Sequence, residues 1–139
     1  IILASFIPII IGMGGNVGTQ SSTIIVRGMA TGRINIGNEL MIIIKELKTG
    51  LILGVLYGIM LGIFGSFRFL DTNPLIGIVV GLSICSSMII ATGVGTLTPL
   101  VLRKLDIDPA IASGPFVTTS IDILGVLIYF STAGFLLQI

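Results

Sequence analysis

Asp122 stands in surroundings that demand a partner. It is the single charge in the apolar stretch from Pro109 to Ile139. An aspartate at the centre of a membrane helix costs about 2.5–3.5 kcal/mol on insertion scales. The other long apolar stretches hold no Lys or Arg to offset it, and the chain has no His. Compensation must come from a bound cation, a proton, or water with hydroxyl donors. Thr118 lies one turn before Asp122, and Gly125 and Tyr129 continue the same helix face. Ser113-Gly114-Pro115 leads into that helix. The structural alternative is a protonated Asp122 hydrogen-bonded to Ser or Thr across a helix interface. An ionisable group at bilayer depth nevertheless weighs toward function.

A second polar feature lies near the start. Pro8 is followed by Gly12-Met13-Gly14-Gly15-Asn16-Val17-Gly18-Thr19-Gln20-Ser21-Ser22-Thr23. Such a run is a poor helix by intrinsic propensity. Irregular or polar backbone at bilayer depth is tolerated where protein buries it or a water-filled cavity solvates it. Packing through Gly14 and Gly18, a GxxxG pair, explains the glycines. It explains Asn16 and Gln20 less well, and a cavity or pore lining is the better reading. No Lys follows the glycines, so this is not a nucleotide-binding loop.

One carboxylate per chain is too little for a dry divalent site. Calcium takes six to eight oxygens, and magnesium gives up its water reluctantly. Two chains about a shared axis would face two Asp122 side chains, and a divalent ion between them would relieve their repulsion. Asn16, Thr19 and Thr118 would then contact the ion's water shell. Spacing alone does not choose the metal. Asp106 and Asp108 sit beside Arg103 and Lys104 and read as a solvated turn closed by Pro109, with Asp108 as a secondary cation contact.

The elements that must position these residues are membrane helices. Of the 139 residues, 54% are hydrophobic and 9% charged, against roughly 25% charged in an average soluble domain. Mean hydropathy is +1.18. So few charges cannot coat a water-soluble globule, which excludes a soluble enzyme domain. The net charge of +1 gives no case for nucleic-acid binding. The single Cys85 forms no intrachain disulfide. Neutral stretches run from Ile1 to Val26, Thr49 to Phe67 and Thr72 to Leu102, before the stretch holding Asp122. A membrane helix needs about 20 apolar residues. The chain therefore reads as all-α, with four transmembrane spans at approximately 5–30, 39–67, 74–102 and 109–138. Asn38 followed by Glu39 is an expected helix start, and Pro74 after Asp71-Thr72-Asn73 marks a tight turn.

Basic residues orient the spans. Arg27, Arg33, Lys45 and Lys48 lie in the first connection, Arg103 and Lys104 in the third, and Arg68 alone in the second. The positive-inside rule makes 27–48 and 103–108 cytoplasmic. Ile1 and Ile139 then lie outside, and an outside start without a signal peptide implies an earlier span. Gly50, Gly54, Gly58 and Gly62 recur every four residues and read as a helix-packing stripe. A weak internal echo pairs Val17-Gly18-Thr19 before Arg27 with Val94-Gly95-Thr96 before Arg103.

Together these residues resemble a known family. Pro8, the run Gly12 to Thr23 and Arg27 look like the second membrane helix of MgtE magnesium channels. Leu105-Asp106-Ile107-Asp108-Pro109-Ala110, Gly114-Pro115, Thr119-Ser120-Ile121-Asp122-Ile123-Leu124-Gly125 and Ile128-Tyr129-Phe130 look like its last linker and fifth helix. The resemblance implies a homodimer, embedded in lipid, with five membrane helices per subunit. This chain would supply helices two to five of the pore domain. The first helix and the N-terminal cytoplasmic regulatory domains would belong to the full-length chain. It implies Mg²⁺ passage into the cytoplasm across the cell membrane, between the second and fifth helices of both subunits. The acidic residue holding a hydrated Mg²⁺ on the axis falls on Asp122. Pore positions fall on Gly12, Gly15, Asn16, Thr19, Thr23, Gly114 and Thr118. Some family members carry Asn where this chain has Thr19 and Gly114. Asp108 matches a weaker metal contact.

A proton-coupled divalent-cation transporter or exchanger using Asp122 is the alternative. Intramembrane catalysis is disfavoured: aspartyl proteolysis needs two acids and a serine mechanism usually needs a base.

Overall fold

Charges and turn residues, more than helix propensity, decide where the helices end. The computed structural model describes residues 2–34, 37–112 and 114–138. Ile1, Ile139 and Ser113 lie outside the described residues. Among those described there is no strand. A 3₁₀ turn, Leu3–Phe6, leads into α1, Ile7–Ala30, whose first turn holds Pro8 where no intrahelical N–H is needed. The chain then forms α2, Glu39–Arg68, and α3, Leu75–Lys104. A 3₁₀ turn, Pro109–Ala112, precedes α4, Pro115–Leu137.

The connections are tight for identifiable reasons. Asn38 occupies the N-cap of α2, but its side chain makes no capping hydrogen bond. In the α2–α3 turn the Asn73 side-chain oxygen accepts the Leu75 N–H at 2.9 Å, an Asx turn. Before α4 the fourth apolar stretch breaks. Gly114 has φ of +99°, a conformation natural to glycine, and the continuous helix starts after it. The first and third connections meet at one end of the bundle. Arg103 Nη1 donates to the Ile34 carbonyl at 3.0 Å, and Lys104 pairs with Glu39 at 2.7 Å.

Three helices, α2, α3 and α4, are long and apolar enough to cross a membrane. α1 has the length but carries the glycine, amide and hydroxyl run. That run is continuous helix, contrary to its low propensity, because its small residues are what packing requires. A Cβ on Gly14 would stand 3.0 Å from Ser87 Oγ and 3.2 Å from Ile121 Cγ2. A Cβ on Gly18 would meet the Ile121 side chain and lie 2.9 Å from the Ala91 carbonyl oxygen. Gly95 of α3 sits directly on the Gly18 backbone, so the two echoed Val-Gly-Thr segments meet where α1 crosses α3.

α3 is the central helix, packed by α1, α2 and α4. The α2 glycines lie along it. A Cβ would stand 3.0 Å from the Met88 carbonyl oxygen at Gly50, 2.8 Å from that of Cys85 at Gly54, 2.7 Å from that of Gly81 at Gly58 and 3.0 Å from that of Gly77 at Gly62. Close backbone approach replaces a hydrophobic driving force that lipid does not supply. The core gathers Phe6, Ile10, Val79, Val80, Ile84, Met88 and Tyr129. The outward face of α2 exposes Ile52, Leu56, Ile59 and Ile63. A row this long suits hydrocarbon rather than water.

Candidate functional site: an open polar face on α1 and α4

α1 and α4 pack side by side on α3 and leave one shared face uncovered. On α1 that face carries Gly12, Asn16 and Thr23, all exposed, with Thr19 half-buried. Helical spacing explains the set, since these positions fall within one side of the cylinder. The opposite side of α1, with Gly14, Gly18 and Ile25, is buried. Polar solvation and close packing are thus separated onto two faces of one helix.

Asp122 comes from α4 to meet this face. It is half-buried. A Cβ on Gly15 would stand 3.3 Å from Asp122 Oδ1 and 3.8 Å from Thr118 Cγ2. Glycine at position 15 therefore lets the carboxylate lie against the α1 backbone. Among the described residues no hydrogen bond or ion pair within the chain engages the carboxylate. Asp122 lies seven residues after Pro115, about 10 Å along α4 at 1.5 Å per residue.

The neighbouring hydroxyls differ in state. Thr118 donates to the helix carbonyls of Gly114 at 3.3 Å and Pro115 at 3.1 Å. Thr23 donates to the Thr19 carbonyl at 2.8 Å. Each keeps oxygen lone pairs free to accept from water. Thr19 Oγ1 is buried and has no hydrogen-bond partner among the described residues. Gly125 and Tyr129 leave the open face. Both are buried, and the Tyr129 hydroxyl donates to the Leu3 carbonyl at 2.9 Å. Tyr129 ties α4 to the chain start, and a Cβ on Gly125 would stand 3.2 Å from Ser87 Oγ of α3, so neither shares the face of Asp122. Gly12 and Gly114 have nothing within 4 Å of an added Cβ.

Asp108 is exposed in the turn before α4, and its Oδ1 accepts the Ala110 N–H at 2.9 Å. Asp106 is also exposed. Among the described residues no group of three or more His, Cys, Asp or Glu converges on one point. The open face offers a single carboxylate and a row of neutral oxygens. That arrangement suits a cation retaining its water better than one bound dry.

Sequence reasoning missed a second buried acid. Glu46 of α2 is 8% exposed and accepts a hydrogen bond from Ser21 Oγ at 2.9 Å. Sequence reasoning weighed only the basic residues of the first connection and did not single out Glu46. The available signal was its position one turn before Gly50, on the line of the glycine stripe. Sequence reasoning also missed three buried α3 hydroxyls, Ser83, Ser87 and Thr96, which have no hydrogen-bond partner among the described residues.

The MgtE family, described as divalent cation transporters, matches residues 7–132. The chain is 40% identical over 131 residues to the magnesium transporter MgtE of Bacillus subtilis, covering 94% of this chain and 29% of that protein. It is 39% identical over 136 residues to the magnesium transporter MgtE of Thermus thermophilus, covering 98% and 30%. Against the magnesium transporter MgtE of Enterococcus faecalis it is 38% identical over 138 residues, covering 99% and 30%. The chain thus spans about three tenths of the length of the curated relatives it matches.

Proposed function

The chain belongs to the MgtE family of divalent cation transporters, and from that premise we propose that it forms half of a Mg²⁺ pathway through the cell membrane. Family membership sets it among transporters rather than enzymes. Two copies pair about an axis parallel to the bilayer normal, with the open faces of α1 and α4 turned toward each other. Gly12, Gly15, Asn16, Thr19, Thr23, Gly114 and Thr118 line the passage. The two Asp122 carboxylates hold the hydrated ion between them. Asp108 offers a weaker contact at the cytoplasmic mouth. The connections 27–48 and 103–108 face the cytoplasm, and the ion moves inward. The remaining length of the full chain supplies a further membrane helix and cytoplasmic regulatory domains.

The observation that carries this reading is the position of Asp122. Its carboxylate is half-buried against Gly15, on the one face of the α1–α4 pair that is polar and uncovered. A charge held there without an internal partner is costly unless an ion or water compensates it. Paired carboxylates favour a divalent cation, since two like charges in one site repel. Retained hydration fits the neutral oxygens of Asn16 and Thr118, with the Thr19 hydroxyl buried just behind them, and fits magnesium's reluctance to dehydrate.

The test is Mg²⁺ influx by the full-length protein in vesicles. Asp122→Asn keeps the shape and removes the charge, and influx is expected to fall by at least about tenfold, the size of one lost charge-assisted contact. Unchanged influx would overturn the assignment. The same vesicles separate passive passage from proton exchange. Passive passage predicts a reversal potential that follows the Mg²⁺ gradient and ignores an imposed pH gradient.

A further inference from the structure

The Glu46–Ser21 contact forms part of a second polar feature, away from the open face. A cavity of about 470 Å³ lies between the ends of α1 and α2 that carry the basic residues. Arg27, Arg33 and Lys45 line it together with Glu46, and Ile24 adds an apolar edge. The three cations are exposed, whereas Glu46 is 8% exposed. Ser21 Oγ donates to Oε2 of this lining carboxylate at 2.9 Å.

The depth of this cavity follows from helix lengths. The 30 residues of α2 span about 45 Å, while the hydrocarbon core is about 30 Å thick. The neutral segment from Thr49 to Phe67 fills that core. Glu46 lies three residues before Thr49, about 4.5 Å beyond it along the axis. The cavity therefore sits at headgroup level. Ile24, one turn deeper than Arg27, is 47% exposed.

Both signs of charge are present, and they differ in burial. A simple anion would meet the three cations but also the fixed carboxylate. A simple cation would meet Glu46 but also three positive groups. A zwitterion matches both. We propose that the cavity is a headgroup site for a phospholipid of the phosphatidylethanolamine type. Glu46 accepts hydrogen bonds from the primary ammonium. Arg27, Arg33 and Lys45 bind the phosphate, a pairing in which guanidinium is especially effective. The acyl chains run past Ile24 toward the exposed apolar side chains of α2. A quaternary ammonium has no N–H to give, so phosphatidylcholine satisfies the phosphate half alone.

The experiment is native mass spectrometry of the full-length protein, delipidated and then titrated with phosphatidylethanolamine, phosphatidylcholine and phosphatidylglycerol of identical acyl chains. The wild type is expected to retain phosphatidylethanolamine about tenfold better than phosphatidylcholine, the size of one charge-assisted hydrogen-bonding contact. Glu46→Gln, which can still hydrogen-bond Ser21, is expected to erase that preference. Arg27→Gln combined with Lys45→Gln alters exposed side chains only and is expected to weaken both phosphatidylethanolamine and phosphatidylglycerol. Ser21→Ala keeps the charge and is expected to keep the preference. The proposal is overturned if the wild type retains no lipid, holds the two zwitterionic lipids alike or favours phosphatidylglycerol. It is also overturned if Glu46→Gln preserves the preference, or if Ser21→Ala erases it. None of these readouts involves ion flux, so the result is independent of the transport assignment.

Discussion

At Gly12 and Gly15 the same small change, one added methyl group, has different consequences. A methyl group on Gly12 would meet nothing within 4 Å, and alanine is the better helix former by about 1 kcal/mol. Gly12→Ala is therefore expected to leave the melting temperature of the purified protein unchanged or raised, while lowering Mg²⁺ influx by narrowing the passage. A drop in melting temperature would place Gly12 in a packed interface instead. Gly15→Ala would press its methyl to 3.3 Å from Asp122 Oδ1, so the carboxylate must shift. Gly114→Ala is expected to cost about 1–3 kcal/mol in a thermal melt, because φ of +99° is strained for any side chain. Asp122 was legible in the sequence because it is alone in a neutral stretch. Glu46 was not, because Lys45 and Lys48 flank it and its burial depends on Ser21, a residue of another helix.

Among the helices, α3 carries the packing and α1 carries the polar face. The α2–α3 contact runs backbone to backbone, so it is intolerant of bulk. Gly58→Val would drive a side chain into the Gly81 carbonyl oxygen, 2.7 Å from the first added carbon. Overpacking of this kind costs about 1–3 kcal/mol. The expected result is a lowered melting temperature and reduced yield of folded protein. Wild-type stability in Gly58→Val would refute the contact. The glycine spacing of α2 made its stripe visible from sequence. The Gly12 to Thr23 run was harder, because propensity scales describe isolated helices in water. In the folded chain Gly14 and Gly18 serve close approach to α3 and α4, and the same run continues as helix. The break before α4 was signalled by Gly114-Pro115, but hydropathy passes smoothly onward from Pro109 and so set the span to begin there, ahead of the helix start at Pro115.

Among the described residues the molecule exposes apolar surface on α2 and on outward positions of α4 such as Ile123, Leu127 and Phe130, and a polar face shared by α1 and α4. In a bilayer the first suits lipid and the second does not, since polar surface at that depth needs protein or water against it. Pairing of two copies through the polar face, as proposed above, would meet that need. Cysteine introduced at Asn16, in a Cys85→Ser background, is expected to link two copies through a short bifunctional thiol reagent, and cysteine at Ile52 is not. Equal linking at both positions would argue against this pairing. Pairing and ion binding are joined most directly by anomalous scattering from Mn²⁺ in crystals of the full-length protein, with Mn²⁺ standing in for Mg²⁺. A peak on the two-fold axis between the Asp122 carboxylates, absent in Asp122→Asn, is the predicted result. An axis without a peak, or Asp122 side chains turned toward lipid, would contradict the account.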